Sequence, residues 1–517
     1  MPTILWVDDQ IDLLEPHILF LESKGYTVTK VTNGADAVAR VQDERFDLVF
    51  LDEQMPGMDG IETLGEIKRE TPDVPVVMIT KSEEEEIMED AIGGQISDYL
   101  IKPVHPKQLL LTCKRILDRK RIRDEHVSQD YLRSFREIGM QLSGRLDWQD
   151  WIEVYRRLIG FDRELEGDDS LRQVLENQLG EANQEFARYI EDEYSGWIGM
   201  TDGAGERRPV LSHEIFDQFV IPTLRGTDKP VYFFLIDCMR LDQWLEFQQL
   251  LFPLFEIETD THFSLLPTAT PYSRNAIFSG MLPAQIAQRW PKFWAEAEGD
   301  EHSRNRHEEE FLRDLLRRRH VDGRMQYEKI TKTDDGRNLA QQISNYQQNR
   351  LSAIVVNFVD NLAHSRSDSA VLKEIAPDER AYRALTRTWF EHSWLYQVFQ
   401  DLARTDCHIV ITADHGVIRS LRPTKVIGDR ETSTSLRYKF GRNLKCDGRH
   451  AILVKDPHTY GLPSRQLNTN YIIAKEDYYF VYPTNYNHYV NHYKDTMQHG
   501  GISLEEMILP VLSLTPR

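Results

Sequence analysis

Three apolar runs in this 517-residue chain end in the same kind of residue. In IVVNFVDNLAH the run from Ile354 leads to Asp360, with His364 four residues on; in KPVYFFLIDCMR a run leads to Asp237; in CHIVITADHG another leads to Asp414-His415-Gly416. A continuous apolar run reads as a buried parallel strand, and ligands of α/β sheets gather beyond the carboxyl ends of such strands. Taken singly, each pair is either a set of metal ligands or a turn residue beside a surface histidine. Near the C-terminus, His499-Gly500-Gly501 adds an imidazole where glycines permit close backbone approach. Together Asp237, Asp360, Asp414, His364, His415 and His499 supply three carboxylates and three imidazoles, an oxygen and nitrogen set suited to Zn²⁺. That is more than one catalytic zinc needs, and two ions use the set better.

A two-metal site needs a nucleophile. The segment LLPTATPYSRNAIFSG carries hydroxyls at Thr268, Thr270 and Ser273, beside Arg274 and Asn275. A threonine hydroxyl is a poor nucleophile at neutral pH, but coordination to zinc lowers the pKa of a bound oxygen by many units. Without the metal cluster the same segment is a polar turn.

A second set of acids lies in the first quarter of the chain. Apolar strands are expected at Thr3–Val7, Asp47–Leu51, Val74–Ile79 and Tyr99–Ile101, alternating with helical stretches in the rhythm of a small doubly wound domain. Asp8 and Asp9 close the first strand, Asp52 the strand DLVFLD and Thr80 the strand VPVVMIT, while Lys102 follows the last. In a parallel sheet these side chains converge at one rim. There Asp8, Asp9 and Asp52 can hold one Mg²⁺, a hydroxyl and an ammonium can stabilise phosphoryl oxygens, and one acid can serve as nucleophile.

The elements between these sites are helical. The run Arg119-Lys120-Arg121-Ile122-Arg123 reads as a solvated helix face. Tyr131, Leu132, Phe135, Ile138 and Met140, then Trp151, Val154, Tyr155, Leu158 and Ile159, recur at helical spacing as the core stripe of a bundle. Thr201–Gly205 and the charged residues up to Pro209 read as an interdomain loop. Basic residues Arg430, Arg437, Lys439 and Arg442 can draw a short anion toward the site, or form a solvated loop.

Composition narrows the function. A formal charge of −21 and a pI near 5.3 argue against a general polyanion binder and favour small cyclic or linear oligonucleotides over long nucleic acid. No apolar run reaches bilayer length and the N-terminus has no signal-peptide pattern, so membrane insertion is not expected and a cytoplasmic location is. Cys113, Cys238, Cys407 and Cys446 form no Cys-x-x-Cys pair and are expected to be inert and buried.

Residues 1–120, with LDEQMPGMDG around and after Asp52, resemble a response-regulator receiver domain. That resemblance implies a flavodoxin-like (βα)5 fold, phosphorylation of Asp52 by a sensor histidine kinase, Mg²⁺ on Asp8 and Asp9, Thr80 and Lys102 as phosphoryl sensors, and Tyr99 as the switch aromatic. Residues 121–205 are expected to form a helical-bundle spacer. Residues 206–517 resemble the alkaline phosphatase superfamily, particularly its nucleotide pyrophosphatase/phosphodiesterase branch and PglZ-type members, on Asp237, PTATP, Asp360-x-x-x-His364, the DHG at Asp414, and His499 in HGG. This implies a large α/β domain, one zinc on Asp360, His364 and His499, another on Asp237, Asp414, His415 and Thr270, and Thr270 as nucleophile. Residues for a third metal or a phosphate-clamping arginine do not align. The whole arrangement resembles PorX-type response regulators associated with type IX secretion in Bacteroidetes bacteria. That implies a homodimer when phosphorylated, no DNA-binding domain, and partners that include a sigma factor and a secretion component. The competing class is a switchable interaction protein whose zinc domain is structural.

Overall fold

The computed structural model describes residues 2–80, 96–165, 169–200, 208–295, 305–428, 435–464, 468–484 and 486–517, with backbone alone at 118–129, 169–170 and 295. The side chains of the basic run at 119–123, the loop 201–205 and Arg430 lie outside the described residues. The chain divides into two compact units, Met1–Arg133 and Ser134–Arg517.

In the first unit five parallel strands, β1 (Thr3–Val7), β2 (Thr27–Val31), β3 (Leu48–Asp52), β4 (Val76–Thr80) and β5 (Asp98–Ile101), are ordered β2-β1-β3-β4-β5. Buried side chains fill both faces, with Leu5, Val49, Leu51 and Met78 on one and Ile4, Trp6, Phe50 and Ile79 on the other. That is why the central strands read as unbroken apolar runs. β2 lies at an edge and alternates exposed with buried residues, so it lacked that signature. β3 and β4 extend through Asp52 and Thr80, which are the last residues of their strands rather than the first beyond them. Gly60 is required for close approach, because a Cβ there would lie 2.3 Å from the Asp52 carbonyl oxygen.

The helix Arg119–Leu142 spans the division between the units. Its Tyr131 and Ile138 are buried, but Leu132 and Met140 are 49% and 69% exposed, contrary to the expected stripe. At about 100° per residue Met140 lies half a turn round from Tyr131, so the two cannot share a core face. The helix Trp148–Glu164 buries all five of its expected positions, Trp151, Val154, Tyr155, Leu158 and Ile159.

The second unit is built on a six-stranded sheet of β6 (Val231–Ile236), β7 (Phe255–Phe263), β8 (Met325–Ile330), β9 (Leu351–Val356), β10 (His408–Thr412) and a final strand, Ile508–Pro516. The order is β7, the final strand, β10, β6, β9, β8; the last four are parallel, while the final strand runs antiparallel to both neighbours. The three strands that lead to Asp414, Asp237 and Asp360 are therefore adjacent. Between β10 and the final strand the described residues form three small sheets from seven short strands, the last of which, Thr496–Gln498, presents His499.

The linker helix Asp169–Gly199 packs on this unit through aromatic rings. Phe186 and Trp197 lie 6.1 and 5.8 Å from Phe263 at the end of β7, and Trp151 lies 5.4 Å from Phe186. Polar contacts fix the register. The Leu266 N–H donates to the Tyr194 hydroxyl at 2.9 Å, and Asn183 accepts from the Leu504 N–H at 2.8 Å while donating to the Glu505 carboxylate. Cys113, Cys238 and Cys407 are buried and Cys446 is partly so, all four as free thiols. Among the described residues no helix is long and apolar enough to cross a membrane.

Two expectations follow from these contacts. Tyr194→Phe leaves the Leu266 N–H without its acceptor and is expected to cost about 1–3 kcal/mol in chemical denaturation; an unchanged midpoint would remove that bond from the account. His262, fully buried on β7, donates from Nε2 to the Ala413 carbonyl at 3.0 Å, and burial pushes its pKa down from 6.5 to about 4. Between those values the unfolded chain takes up a proton that the folded chain does not, so stability falls as the pH drops through this window, by at most about 3 kcal/mol. His262→Gln should flatten this part of the pH dependence, and a wild-type-minus-variant difference constant from about pH 7 to about pH 4.5 would contradict it.

Candidate metal centres

Beyond the carboxyl ends of β10, β6 and β9 the sequence-predicted ligands come together as two sets. Asp237, Asp414 and His415, all buried, each offer a ligand atom within 4.8 Å of the others, and so do Asp360, His364 and His499. The sets adjoin, since the His415 and His499 rings stack with centroids 4.3 Å apart. Asp237 directly follows β6, and Asp414 and His415 follow β10 by one residue. Asp360 differs from expectation: β9 ends at Val356, and Asp360 lies in the first turn of the helix Phe358–Asp368. His364 is on the next turn, on the same helix face, with Nε2 3.4 Å from Asp360 Oδ1.

The segment 264–275 separates its hydroxyls by role. Thr268 donates to the Gly501 carbonyl and accepts from the Gly500 N–H. Ser273 bonds Ser264 and the Leu265 carbonyl. Thr270 Oγ1 instead lies 3.0 Å from His415 Nε2, at the N-terminus of the helix Thr270–Ser279. His415 Nδ1 donates to the Gly416 carbonyl at 3.0 Å, which leaves the Nε2 lone pair toward Thr270. Gly416 cannot carry a side chain, because a Cβ would lie 1.9 Å from the Glu505 carbonyl oxygen.

A buried guanidinium completes the first set. Arg274, one turn after Thr270 and fully buried, donates from Nε to Asp414 Oδ2 at 2.8 Å and pairs through Nη2 with Asp237 Oδ2. Asn357 donates to the same Asp237 oxygen at 2.7 Å. Asp237 Oδ1 is buried without a hydrogen-bond partner, 3.8 Å from His415 Nε2. An orphaned carboxylate oxygen facing an imidazole lone pair fits a cation better than any other group, so the residues present suit a metal ion.

The electrostatics agree with crowded acids. Burial, opposed by Arg274 and reinforced by Asp414 and Asp360, pushes Asp237 up to about 7. Burial also opposes ionisation of Asp414 and Asp360. Arg274 and His415 nevertheless hold Asp414 below the ordinary range, and His364, then His499 and His415, hold Asp360 well below it. Sequence reasoning missed the supporting residues. Asn357 had a signal, as the first polar residue after β9. Glu308, buried at 1% exposure and bonded by Tyr327 and Lys329, stands in an acidic stretch that reads as solvated. The basic residues expected to draw an anion are partly committed elsewhere: Arg437 is fully buried in an ion pair with Glu506, and Lys439 is buried over the Tyr482 ring, while Arg442 is exposed.

The first unit has a centre of its own. Asp8, Asp9 and Asp52 present ligand atoms within 4.8 Å of one another, Asp9 being exposed. Lys102 Nζ lies 3.0 Å from Asp8 Oδ2 and 2.9 Å from Asp52 Oδ2. Burial, then the neighbouring acids against the pull of Lys102, raises the Asp52 pKa. Burial works against the Lys102 ammonium, but the two carboxylates together raise it. Thr80 is buried and donates to Glu53, while Tyr99 is 36% exposed on β5.

Known proteins match these parts separately. Residues 215–514, more than half the chain, match the BREX system PglZ alkaline phosphatase-like domain, residues 4–114 the response regulator receiver domain, and residues 121–198 the PorX response regulator linker domain. The transcriptional regulatory protein ZraR of Klebsiella oxytoca is 36% identical over 136 residues, 26% of this chain and 31% of that protein. ResD of Bacillus subtilis is 34% identical over 116 residues, 22% of this chain and 48% of that protein. The chain thus spans about a third to a half of these curated relatives. Among solved structures, the Vibrio cholerae chemotaxis protein CheY4 is 32% identical, covering 22% of this chain and 98% of that one at a TM-score of 0.21. The receiver domain of NtrX from Brucella abortus is 33% identical, covering 22% and 98% at 0.21. A receiver implies a histidine kinase partner, and domains of both kinds typically bind metals, as the three acid and histidine clusters suit. The chain belongs to the PglZ alkaline phosphatase-like family, within a phosphoesterase-type superfamily, and joins that domain to a receiver through a PorX-type linker, the architecture of a PorX-type two-component response regulator.

Proposed function

We propose that the effector half is a zinc-dependent phosphodiesterase acting on small cyclic or linear oligonucleotides, under the control of phosphorylation at Asp52. The observation that carries this reading is Thr270 Oγ1 at 3.0 Å from His415 Nε2, beside two adjoining sets of three ligands. Asp360, His364 and His499 would hold one zinc and Asp237, Asp414, His415 and Thr270 the other. When bound, two such ions supply Lewis acidity to the attacking and leaving oxygens of an in-line displacement. Thr270 Oγ1 would form the bond to phosphorus and give up its proton to water, the opposite ester oxygen would leave and take a proton from water, and a second water would cleave the threonyl ester. Thr270 begins a helix, so the positive end of the helix dipole faces the charge that develops there.

Charge argues for a diester. A monoester brings a second negative charge that needs its own cation, yet Arg240, Arg274 and Arg437, which border the ligand loops among the described residues, are all buried in ion pairs with acids. A diester monoanion makes less demand. Thr270→Ala is expected to abolish hydrolysis of a chromogenic phosphodiester while retaining most of the zinc, whereas Asp360→Ala or His499→Ala loses zinc from one set. Turnover by the Thr270 variant, or greater activity on the matching monoester, would overturn the assignment; stoichiometric zinc without turnover on a nucleotide panel would favour the interaction-protein reading.

Regulation rests on the receiver. Asp52 would accept the phosphoryl group beside Mg²⁺ on Asp8 and Asp9, with Thr80 and Lys102 moving to its oxygens and Tyr99 following. Tyr99 and Ile101 on β5 and Leu111 on the helix Pro106–Cys113 are 36%, 39% and 66% exposed, and such uncovered apolar side chains support dimer formation. The linker match supports a PorX-type regulator, and on the resemblance to that family its role would lie in type IX secretion, with a sigma factor or secretion component as output partner. Beryllofluoride with Mg²⁺ should raise the sedimentation coefficient and alter the phosphodiesterase rate, and Asp52→Ala should block both. An identical sedimentation profile with binding of the mimic established separately would retire the coupling.

A further inference from the structure

Arg274 stands at the effector site, yet the proposed reaction does not use its chemistry. Its guanidinium is fully buried, with no face toward solvent from which to meet a substrate. It reaches the Oδ2 atoms of both Asp237 and Asp414 and leaves Asp237 Oδ1 toward His415 Nε2. The second oxygen of Asp414 accepts from the N–H groups of Cys238 and His415 at 3.3 and 3.1 Å. On its far side Arg274 Nη1 lies 3.6 Å from Glu308, which is itself held by Tyr327 and by Lys329 Nζ at 3.0 Å on β8. Arg274 therefore takes Oδ2 of Asp237 and leaves its Oδ1 toward His415, while on Asp414 it bonds the oxygen that itself lies 3.8 Å from His415 Nε2.

Two carboxylates buried this close need a positive charge to persist. A guanidinium presents donors in a rigid fork, which suits it to bridging two acids at once. From this geometry we infer that Arg274 is a positioning residue with two tasks. In the metal-free chain it stands in as the counter-charge that keeps Asp237 and Asp414 in place, and in the loaded chain it leaves Oδ1 of Asp237 toward the ion. The second task rests on the zinc reading above, whereas the first does not. Because guanidinium and divalent ion neutralise the same acids, each is worth less when the other is present.

The test uses the full chain and reads melting temperature. In excess chelator, Arg274→Gln melts well below wild type, since two buried acids lose their partner. With saturating zinc that gap shrinks to less than half, because zinc stabilises the variant more than it stabilises wild type. A gap equal or larger in zinc would overturn the counter-charge role and leave Arg274 as packing. A second variant makes the point without metal: Arg274→Gln combined with Asp237→Asn removes one charge of each sign, and in chelator it melts above Arg274→Gln alone. A double variant that melts lower than the single one overturns the inference even where Arg274→Gln is too unstable for zinc titration. Zinc that leaves wild type unshifted would count against the metal reading, while the chelator comparison would still decide the role of Arg274.

Discussion

The effector half is organised around the cost of burying two carboxylates. Asp237 and Asp414 are 1% and 0% exposed, and an isolated ionised carboxylate in such a place costs several kcal/mol even after the protein relaxes. The architecture compensates for this from every direction. β6 and β10 are neighbours, so the two acids fall side by side at one rim; the helix after Thr270 brings Arg274 across both; Asn357 caps Asp237 from the end of β9; and N–H groups of the β6 and β10 loops bond Asp414. Thr270 is placed by the same need. It lies one helical turn before Arg274, so anchoring the guanidinium between the strand ends also sets the hydroxyl against His415.

Much of this arrangement was legible before the fold was known. Parallel strands buried on both faces must be apolar throughout, and residues just beyond their carboxyl ends must be polar, so Asp8, Asp52, Asp237 and Asp414 stood out as abrupt changes of character. Asp360 and His364 stood out through their four-residue spacing, although that spacing belongs to a helix and not to the strand end. What stayed hidden was whatever depends on pairing across the sheet. Nothing in Glu308 or Arg437 distinguishes it locally from a solvated charge; each is buried only because a partner from another element, Arg274 or Glu506, meets it there. The edge strand β2 and the exposed Leu132 and Met140 failed for a related reason, since half-exposed elements carry a diluted pattern.

The linker helix Asp169–Gly199 has a position that its sequence does not announce. Tyr194 accepts from Leu266, four residues before Thr270, and Asn183 accepts from Leu504, five residues after His499. One rigid element thus holds backbone of both loops that complete the metal cluster. A shift of this helix by a fraction of a turn would break both bonds together. Because a modification acts on a distant site only through a difference in stability between two states, such paired contacts are the kind of differential interaction through which a change in the linker can reach the site.

The two acid clusters of the chain share a design and differ in their cation. In the first unit Lys102 bridges Asp8 and Asp52; in the second, Arg274 bridges Asp237 and Asp414. Lysine is a point charge on a flexible stem, and Lys102 remains 22% exposed at its side chain, which suits the role proposed for it of following a phosphoryl group. Arginine is a planar fork, and Arg274 is closed in by protein and faces Glu308 on its far side across 3.6 Å. A cation that must move with its ligand suits a switch, and one that must not move suits a fixed metal site. The choice of lysine in one half and arginine in the other therefore fits the roles proposed for each aspartate pair: to change partners in the receiver and to keep its geometry in the effector.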